Sequence, residues 1–315
     1  MQTEIVTIFD NTMAHGPDPV YILRGSESAV TCLKYWSSNV LYSGDQNGNV
    51  YVWDMETKRP VNKIIGHSGH SVLRIEFISD CTMVTHGRDG FIQFWSKIED
   101  VWTKSDVIKS TSFGYCACSI VDNKIAVPSE STSTVQLYDM STMQCIGELK
   151  PDISGQKYGM CMAVKSVENT ILIGYENGCI ASWDAKTFKM ADKTQIHKES
   201  VMCLDYSSQS NFGISGSADE NLVSWSISEN NTIVKGREST VKNPGFTSVS
   251  IRHDQKIFAT GGWDSNVRIY SVKKLKPLAV LSYHKESVQC VTFSSDNLLA
   301  CGSKDSHISL WDIYR

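Results

Sequence analysis

The sequence predicts an all-β chain: a seven-bladed β-propeller closed by a strand from its own N-terminal part. Three observations lead there. An aromatic residue closes a repeated unit at Trp53, Trp95, Tyr138, Trp183, Trp225, Tyr270 and Trp311, at intervals of 41 to 45 residues. A short polar residue stands six places earlier at Asn47, Asp89, Asn177, Asp219, Asp264 and Asp305, and only the third unit departs, with Thr132. Each unit also carries short runs that alternate apolar and polar, the period of a half-buried strand. Units of about 40 to 45 residues that end in an aromatic are the blades of a propeller.

The last unit is the clearest. It reads as three strands, Ser287–Phe293, Leu298–Gly302 and His307–Trp311, joined by Ser-Ser-Asp-Asn and Ser-Lys-Asp-Ser, both turn-formers. Residues 1–19 form an N-terminal extension, and residues 20–315 form the propeller. Within the extension Glu4–Phe9 is a short extra strand or is loose. Gly16, Pro17 and Pro19 make a linker and forbid helix there. Val20–Arg24 then reads as a lone strand. The last unit has only three strands of its own, so Val20–Arg24 is expected as its fourth, joining the two ends of the ring and removing open sheet edges.

The first unit runs to about Ile65 around Leu41–Asp54, and the second opens at Gly66-His67. The third is irregular, with inner strands expected at Tyr115–Val121 and Lys124–Val127, followed by the polar run Ser129–Thr134. That run is a solvated turn or a phosphorylatable loop. The fourth centres on Ile171–Asp184, the fifth opens at His197, and the sixth has the unusual lead-in Lys242-Asn243-Pro244-Gly245. Helix is expected to be nearly absent.

Bulk properties exclude several functions. A formal charge of −4 gives no basic footprint for nucleic acid. No stretch of 18 apolar residues exists to span a membrane, and Met1–Val6 lacks the features of a secretory leader. The 10 cysteines include no C-x-x-C, so metal spacing is missing and no metal or cofactor is expected. Cys32, Cys203 and Cys290 share one slot of the repeat, in apolar register, and read as small buried hydrophobes. So many free thiols imply a reducing compartment.

Three units carry a His, a hydroxyl or thiol, an Asp and a Trp in order: His67, Thr85, Asp89, Trp95; His197, Ser215, Asp219, Trp225; His284, Cys301, Asp305, Trp311. Each resembles a catalytic triad in composition. Three copies on one lattice are instead expected as buried hydrogen-bond chains that tie a blade's lead-in loop to its turn and third strand. The other four units lack the His, so their blades are expected to open more easily. No phosphate-binding loop, dinucleotide fingerprint, nucleophile elbow or zinc-protease motif is present, so no enzyme is expected. The residue just before each turn Asp or Asn should point out of the ring's face, which makes Gln46, Arg88, Glu176, Trp263 and Lys304 candidates for partner binding. Trp263 stands out, either as an interface anchor or as a residue packed on Asn243-Pro244-Gly245.

Together these repeats resemble the WD-repeat family over residues 20–315. Within it the chain is most similar to the G-protein-beta-subunit-like, ASTRA-associated proteins. The resemblance is carried by Leu23-Arg24-Gly25, Gly174–Gly178, Gly213–Ala218, Asn243-Pro244-Gly245, Gly262-Trp263-Asp264, Lys276–Leu281, Val288–Val291, Gly302–Asp305 and Ile308–Trp311. It implies a non-enzymatic scaffold in the nucleus and cytoplasm. The implied partners are the Tel/Tti cochaperone, which matures phosphatidylinositol-3-kinase-related kinases, and the chromatin-linked ASTRA assembly. A G-protein gamma subunit is not expected, because residues 1–19 cannot supply the long helix that binds it. The alternative is a substrate receptor of a cullin-type ubiquitin ligase. Such receptors usually carry W-D-x-R, and the Trp-Asp pairs that close a unit here are followed by Met55-Glu56, Ala185-Lys186 and Ile313-Tyr314.

Overall fold

A computed structural model describes residues 16–112, 114–152, 154–155 and 157–314. The candidate strand Glu4–Phe9 lies outside them. Alternation along each unit yields four antiparallel strands per blade and seven such sheets, with no helix among the described residues.

Strand β1 (Tyr21–Leu23) precedes the first blade, which is β2 (Val30–Ser37), β3 (Val40–Asp45), β4 (Asn49–Asp54) and β5 (Arg59–Ile65). The second is β6 (Val72–Ser79), β7 (Thr82–Gly87), β8 (Phe91–Ile98) and β9 (Val101–Lys109). The third is β10 (Ser119–Val121), β11 (Lys124–Pro128), β12 (Val135–Asp139) and β13 (Cys145–Leu149). The fourth is β14 (Cys161–Val167), β15 (Thr170–Tyr175), β16 (Cys179–Asp184) and β17 (Met190–Gln195). The fifth is β18 (Val201–Ser207), β19 (Phe212–Ser217), β20 (Asn221–Ile227) and β21 (Ile233–Thr240). The sixth is β22 (Phe246–Ile251), β23 (Ile257–Gly262), β24 (Asn266–Ser271) and β25 (Pro277–Ser282). The seventh is β26 (Val288–Phe293), β27 (Leu298–Ser303) and β28 (Ile308–Asp312), completed by β1 in the order β1-β28-β27-β26.

The ring therefore closes through the chain's own start. Tyr21, Ile22 and Leu23 pair with Leu310, Ser309 and Ile308, and the Val20 N–H donates to Leu310 O at 2.8 Å. Leu23 is fully buried at the seam with the first blade, against Val30, Leu41, Trp53, Ile308 and Leu310.

The buried apolar side chains cluster at the seams between blades, as a repeat that buries its faces on its neighbours requires. A shared device builds these seams. In six blades the innermost strand carries a register shift near its start, for example between Val30 and Cys32 and between Val288 and Cys290. This turns one extra residue, such as Thr31 or Gln289, toward the central channel. In five of the six the residue after the shift then faces a glycine on the second strand, and in the second blade Arg74 faces His86. A Cβ on Gly44 would lie 2.6 Å from both Cys32 Sγ and the Val72 side chain of the next blade. Close approach of two blades accounts for that glycine.

The third blade differs from expectation. Its first strand begins only at Ser119, because the Cys118 N–H donates across the seam to His86 Nδ1 at 3.0 Å instead of to a strand partner. Tyr115 consequently sits on a loop.

One tie was not read from the sequence. Arg252, 3% exposed, donates from Nη1 to the carbonyls of Ile313 (2.9 Å) and Tyr314 (3.1 Å), and pairs with Asp254. Sixth blade and last residues are thereby clamped. Replacing Arg252 with Ala orphans a buried carbonyl and unpairs Asp254. The expected cost is about 3 kcal/mol in urea unfolding; a variant as stable as the parent would refute the clamp.

Candidate functional site

The three His-containing constellations come out differently. In the second blade the chain is complete. His67 Nδ1–H donates to the Asp89 carboxylate (3.0 Å), Nε2 accepts from the Thr85 hydroxyl (2.9 Å), and the Trp95 indole N–H donates to Thr85 Oγ1 (2.9 Å). His67 and Thr85 have no exposure, so neither can meet a substrate.

In the seventh blade Cys301 is not the relay. Ser309 takes that place: His284 Nε2 lies 2.7 Å from Ser309 Oγ, which also accepts from Trp311 Nε1 at 2.8 Å, while His284 Nδ1 binds Asp305. Cys301 and Ser309 face each other across β27 and β28, and a hydroxyl is the stronger hydrogen-bonding group. Ser309→Ala should therefore cost about 3 kcal/mol by orphaning two buried nitrogens. Cys301→Ala should cost about 1 kcal/mol. Urea unfolding of the two variants checks the order, and the reverse order would return the relay to Cys301.

In the fifth blade only one link forms, His197 Nε2 to Ser215 Oγ at 2.7 Å. The Trp225 indole stacks on Tyr206 (5.5 Å between centroids, 5° between planes) and lies over Gly213. That packing fixes the indole, and its N–H finds no partner among the described residues. Asp219 caps the Asn221 N–H instead of reaching His197.

Other groups occupy this place where His is missing. In the first blade Asp45 binds Asn49, and Ser43 accepts from the Trp53 indole at 2.8 Å. In the fourth Tyr158 packs edge-on against Tyr175, and in the sixth Arg268 forms two bonds to Asp264.

The turn residues that precede the Asp or Asn occupy one ring around the channel's mouth. The same backbone bond places each of them: the N–H groups of Gln46, Arg88, Glu176, Trp263 and Lys304 donate to the carbonyls of Ala29, Ser71, Met160, Gly245 and Ser287. Gln46, Arg88, Trp263 and Lys304 line the mouth of a channel cavity of about 1080 Å³. Glu176 does not; its carboxylate turns back to accept from the Met160 N–H at 3.0 Å. Trp263 combines both expectations. Its ring lies so close over Gly245 that a Cβ there would come within 2.1 Å, yet 46% of the residue remains exposed. Two further residues join the face, and neither fits the turn position used to read the sequence. Tyr115, 72% exposed, lies under the Arg88 guanidinium at 3.8 Å, and Met160 is half exposed.

Inside the channel Lys34 and Arg74 both bind Glu76, at 2.6 and 2.8 Å, and Lys165 binds Asp205 at 2.8 Å. Burial pushes the Glu76 carboxyl up, but Arg74 and Lys34 outweigh it and hold it down at about 2. Among the described residues no group of three His, Cys, Asp or Glu could hold a metal ion, and no helix is long and apolar enough to cross a membrane. Burial pushes the Cys32, Cys118 and Cys203 thiols up to about 12, so they pack as neutral groups.

Sequence comparison matches this architecture. The family described as "WD domain, G-beta repeat" matches residues 17–54, 191–226, 233–271 and 275–312. The chain is 35% identical to guanine nucleotide-binding protein subunit beta-like protein 1 of Mus musculus, over 95% of this chain and 97% of that one. The chain belongs to this WD-repeat family. ASTRA-associated protein 1 of Schizosaccharomyces japonicus is 29% identical, and that of Schizosaccharomyces pombe 27%, each over 95% of this chain and 99% of its own. Within the family the matched ranges include Trp263, Lys304 and the seventh-blade hydrogen-bond chain.

Proposed function

We propose that this chain is a non-catalytic WD-repeat scaffold of the ASTRA and Tel/Tti cochaperone setting, acting in nucleus and cytoplasm. In this reading it supports the maturation of phosphatidylinositol-3-kinase-related kinases by holding protein partners on the loop-bearing face of the ring. The observation that carries the reading is its likeness, along nearly the whole chain, to proteins named as ASTRA-associated. The geometry supports it as well. The three hydrogen-bond sets that mimic triads are buried, and the exposed aromatic and cationic groups converge on one mouth. Trp, Tyr and Arg are the residues that dominate interface energetics.

The test is to purify the tagged chain from its own cells at near-physiological salt and identify what accompanies it by mass spectrometry. Tel/Tti subunits and the related kinases are expected, and Trp263→Ala should deplete them without lowering the melting temperature. Recovery of a cullin adaptor in their place would overturn the reading.

A further inference from the structure

At the end of the strands opposite the channel's mouth, the seam between the first and second blades is walled by aromatic rings. Trp36 near the end of β2 and Tyr42 on β3 both meet Phe77 of β6 edge-on, at 4.6 and 4.9 Å between centroids. Trp102 of β9 lies 6.5 Å from Tyr42 and donates its indole N–H to the Tyr42 hydroxyl at 3.0 Å. These contacts hold the rings in place without a ligand, so the wall is preorganised. Trp36, Tyr42 and Trp102 border a cavity of about 310 Å³. Tyr42 and Trp102 are buried, whereas Trp36 is only partly covered.

The rest of the lining is acidic. Asp54 ends β4, Asp80 stands on the turn between β6 and β7, and Asp100 on the turn between β8 and β9. Lys97 is the one cation in the lining, and it already binds Asp100 at 2.8 Å. Three carboxylates against one ammonium leave two negative charges in excess. Asp54 Oδ1 accepts the N–H groups of Glu56 and Thr57, and these bonds hold its carboxyl below the usual range, so it stays charged. The neighbouring Lys58 turns its ammonium to the Met55 carbonyl. Asp80 is exposed and has no hydrogen-bond or ion-pair partner among the described residues.

We propose that this cavity takes an arginine side chain of a protein partner. The guanidinium lies flat against the Trp36 ring, its edge N–H groups reach the Asp80 carboxylate, and Val61 at the rim, 63% exposed, covers the methylene stem. Ring faces and an excess of negative charge both call for a cation. Arginine suits the cavity better than lysine, because its weakly hydrated planar head stacks on a ring and offers donors at its edge at the same time. Ligand pockets run from about 300 to 1,000 Å³, and this one stands at the lower end, the size for one side chain. The chain's own first 15 residues are unsuited to it, since they hold Glu4 and Asp10 but no Lys or Arg. The site lies away from the mouth and stands whether or not the scaffold reading does.

The test follows the indole N–H resonances of Trp36 and Trp102 in the full chain as acetyl-Gly-Arg-Gly-amide is added. Saturable shifts are expected at these two and none at Trp225 in the fifth blade, with binding weakened by salt. Citrulline in place of the Arg keeps the shape without the charge and should not bind, and Lys should bind more weakly. Asp80→Lys, on an exposed turn, should weaken the Arg peptide by about tenfold or more with an unchanged melting temperature. Trp36→Leu, which keeps an apolar group on Phe77, should weaken it as well, with Trp102 as the remaining reporter. Should that variant fail to fold, Asp80→Lys decides alone.

Shifts that do not saturate, a citrulline or lysine peptide bound as tightly as the arginine one, or a folded Asp80→Lys chain that binds like the parent would each overturn the proposal. Because the peptide is read on the purified chain, its failure leaves the co-purification test of the scaffold untouched, and the reverse holds too.

Discussion

Removing residues 1–25 is expected to unfold the ring as a whole. Strand β1 carries the early part of the chain into the seventh blade, and it lies on the edge of β28. Its loss strips the backbone partners of Ile308 and Leu310 and bares a sheet edge. It also uncovers the seam between the seventh and first blades, because Leu23 fills it with Val30, Leu41 and Trp53. Truncating one buried Leu costs about 2 to 5 kcal/mol, and each lost backbone bond adds about 1 kcal/mol. The sum is at least about 5 kcal/mol, comparable with the whole stability of a typical domain. Thermal unfolding of the truncated chain should show a large fall in midpoint or no cooperative transition. A chain lacking only residues 1–15 separates the contribution of the strand from that of the residues before it. Leu23→Ala in the full chain should reproduce about 3 kcal/mol of the loss. A chain without residues 1–25 that melts like the parent would show that hydrogen bonds between the ends do not hold the ring.

The closure was legible because it follows from counting strands: a three-stranded last unit and an unattached Val20–Arg24 have one economical solution. Blade number and order were legible for the same reason, since a period of 41 to 45 residues survives substitution at single positions. What escaped the sequence depends on register. Cys301 and Ser309 are eight residues apart, and only the pairing of β27 with β28 sets them side by side. The Ser two places before Trp311 was a signal that could have been used, since a hydroxyl outcompetes a thiol for an indole N–H. The Arg252 clamp joins residues about sixty apart, and no local pattern announces it. Tyr115 was missed because it was assigned to a strand, whereas the His86 bond to Cys118 keeps that stretch out of the sheet. Glu176 was placed on the right turn, but its conformation returns the carboxylate to its own blade.

Acid should weaken this protein well before its carboxylates titrate. Three histidines are buried in surroundings that disfavour their charge. Burial, reinforced by nearby His67, pushes His86 down to about 3, burial takes His197 to about 4, and burial lowers His284 too. A free imidazole titrates near 6.5. Between that value and the folded one the unfolded chain binds protons that the folded chain refuses, so stability rises with pH across this window. It is fully present above about 6.5 and is lost as pH falls. At pH 5 His86 and His197 each remove about 2 kcal/mol, about 4 kcal/mol together. The carboxyls of Asp89 and Asp305 do not offset this. Burial raises them, but the bonds they accept outweigh it and hold both below the usual carboxylate range, so neither takes up a proton between pH 7 and 5. Urea unfolding at a series of pH values should show the decline. His86→Asn, whose side-chain oxygen can accept the Cys118 N–H in place of Nδ1, should be less stable at pH 7 yet lose only about half as much on going to pH 5. A flat profile from pH 7 to 5 would show that these rings take up protons freely in the folded ring. The location of the loss is also fixed by the geometry. His86 holds the seam between the second and third blades through the Cys118 N–H, and β10 spans only Ser119–Val121. Protection of the Cys118 amide, taken relative to its intrinsic exchange rate at each pH, should therefore fall on acidification before that of the seventh-blade seam closed by β1.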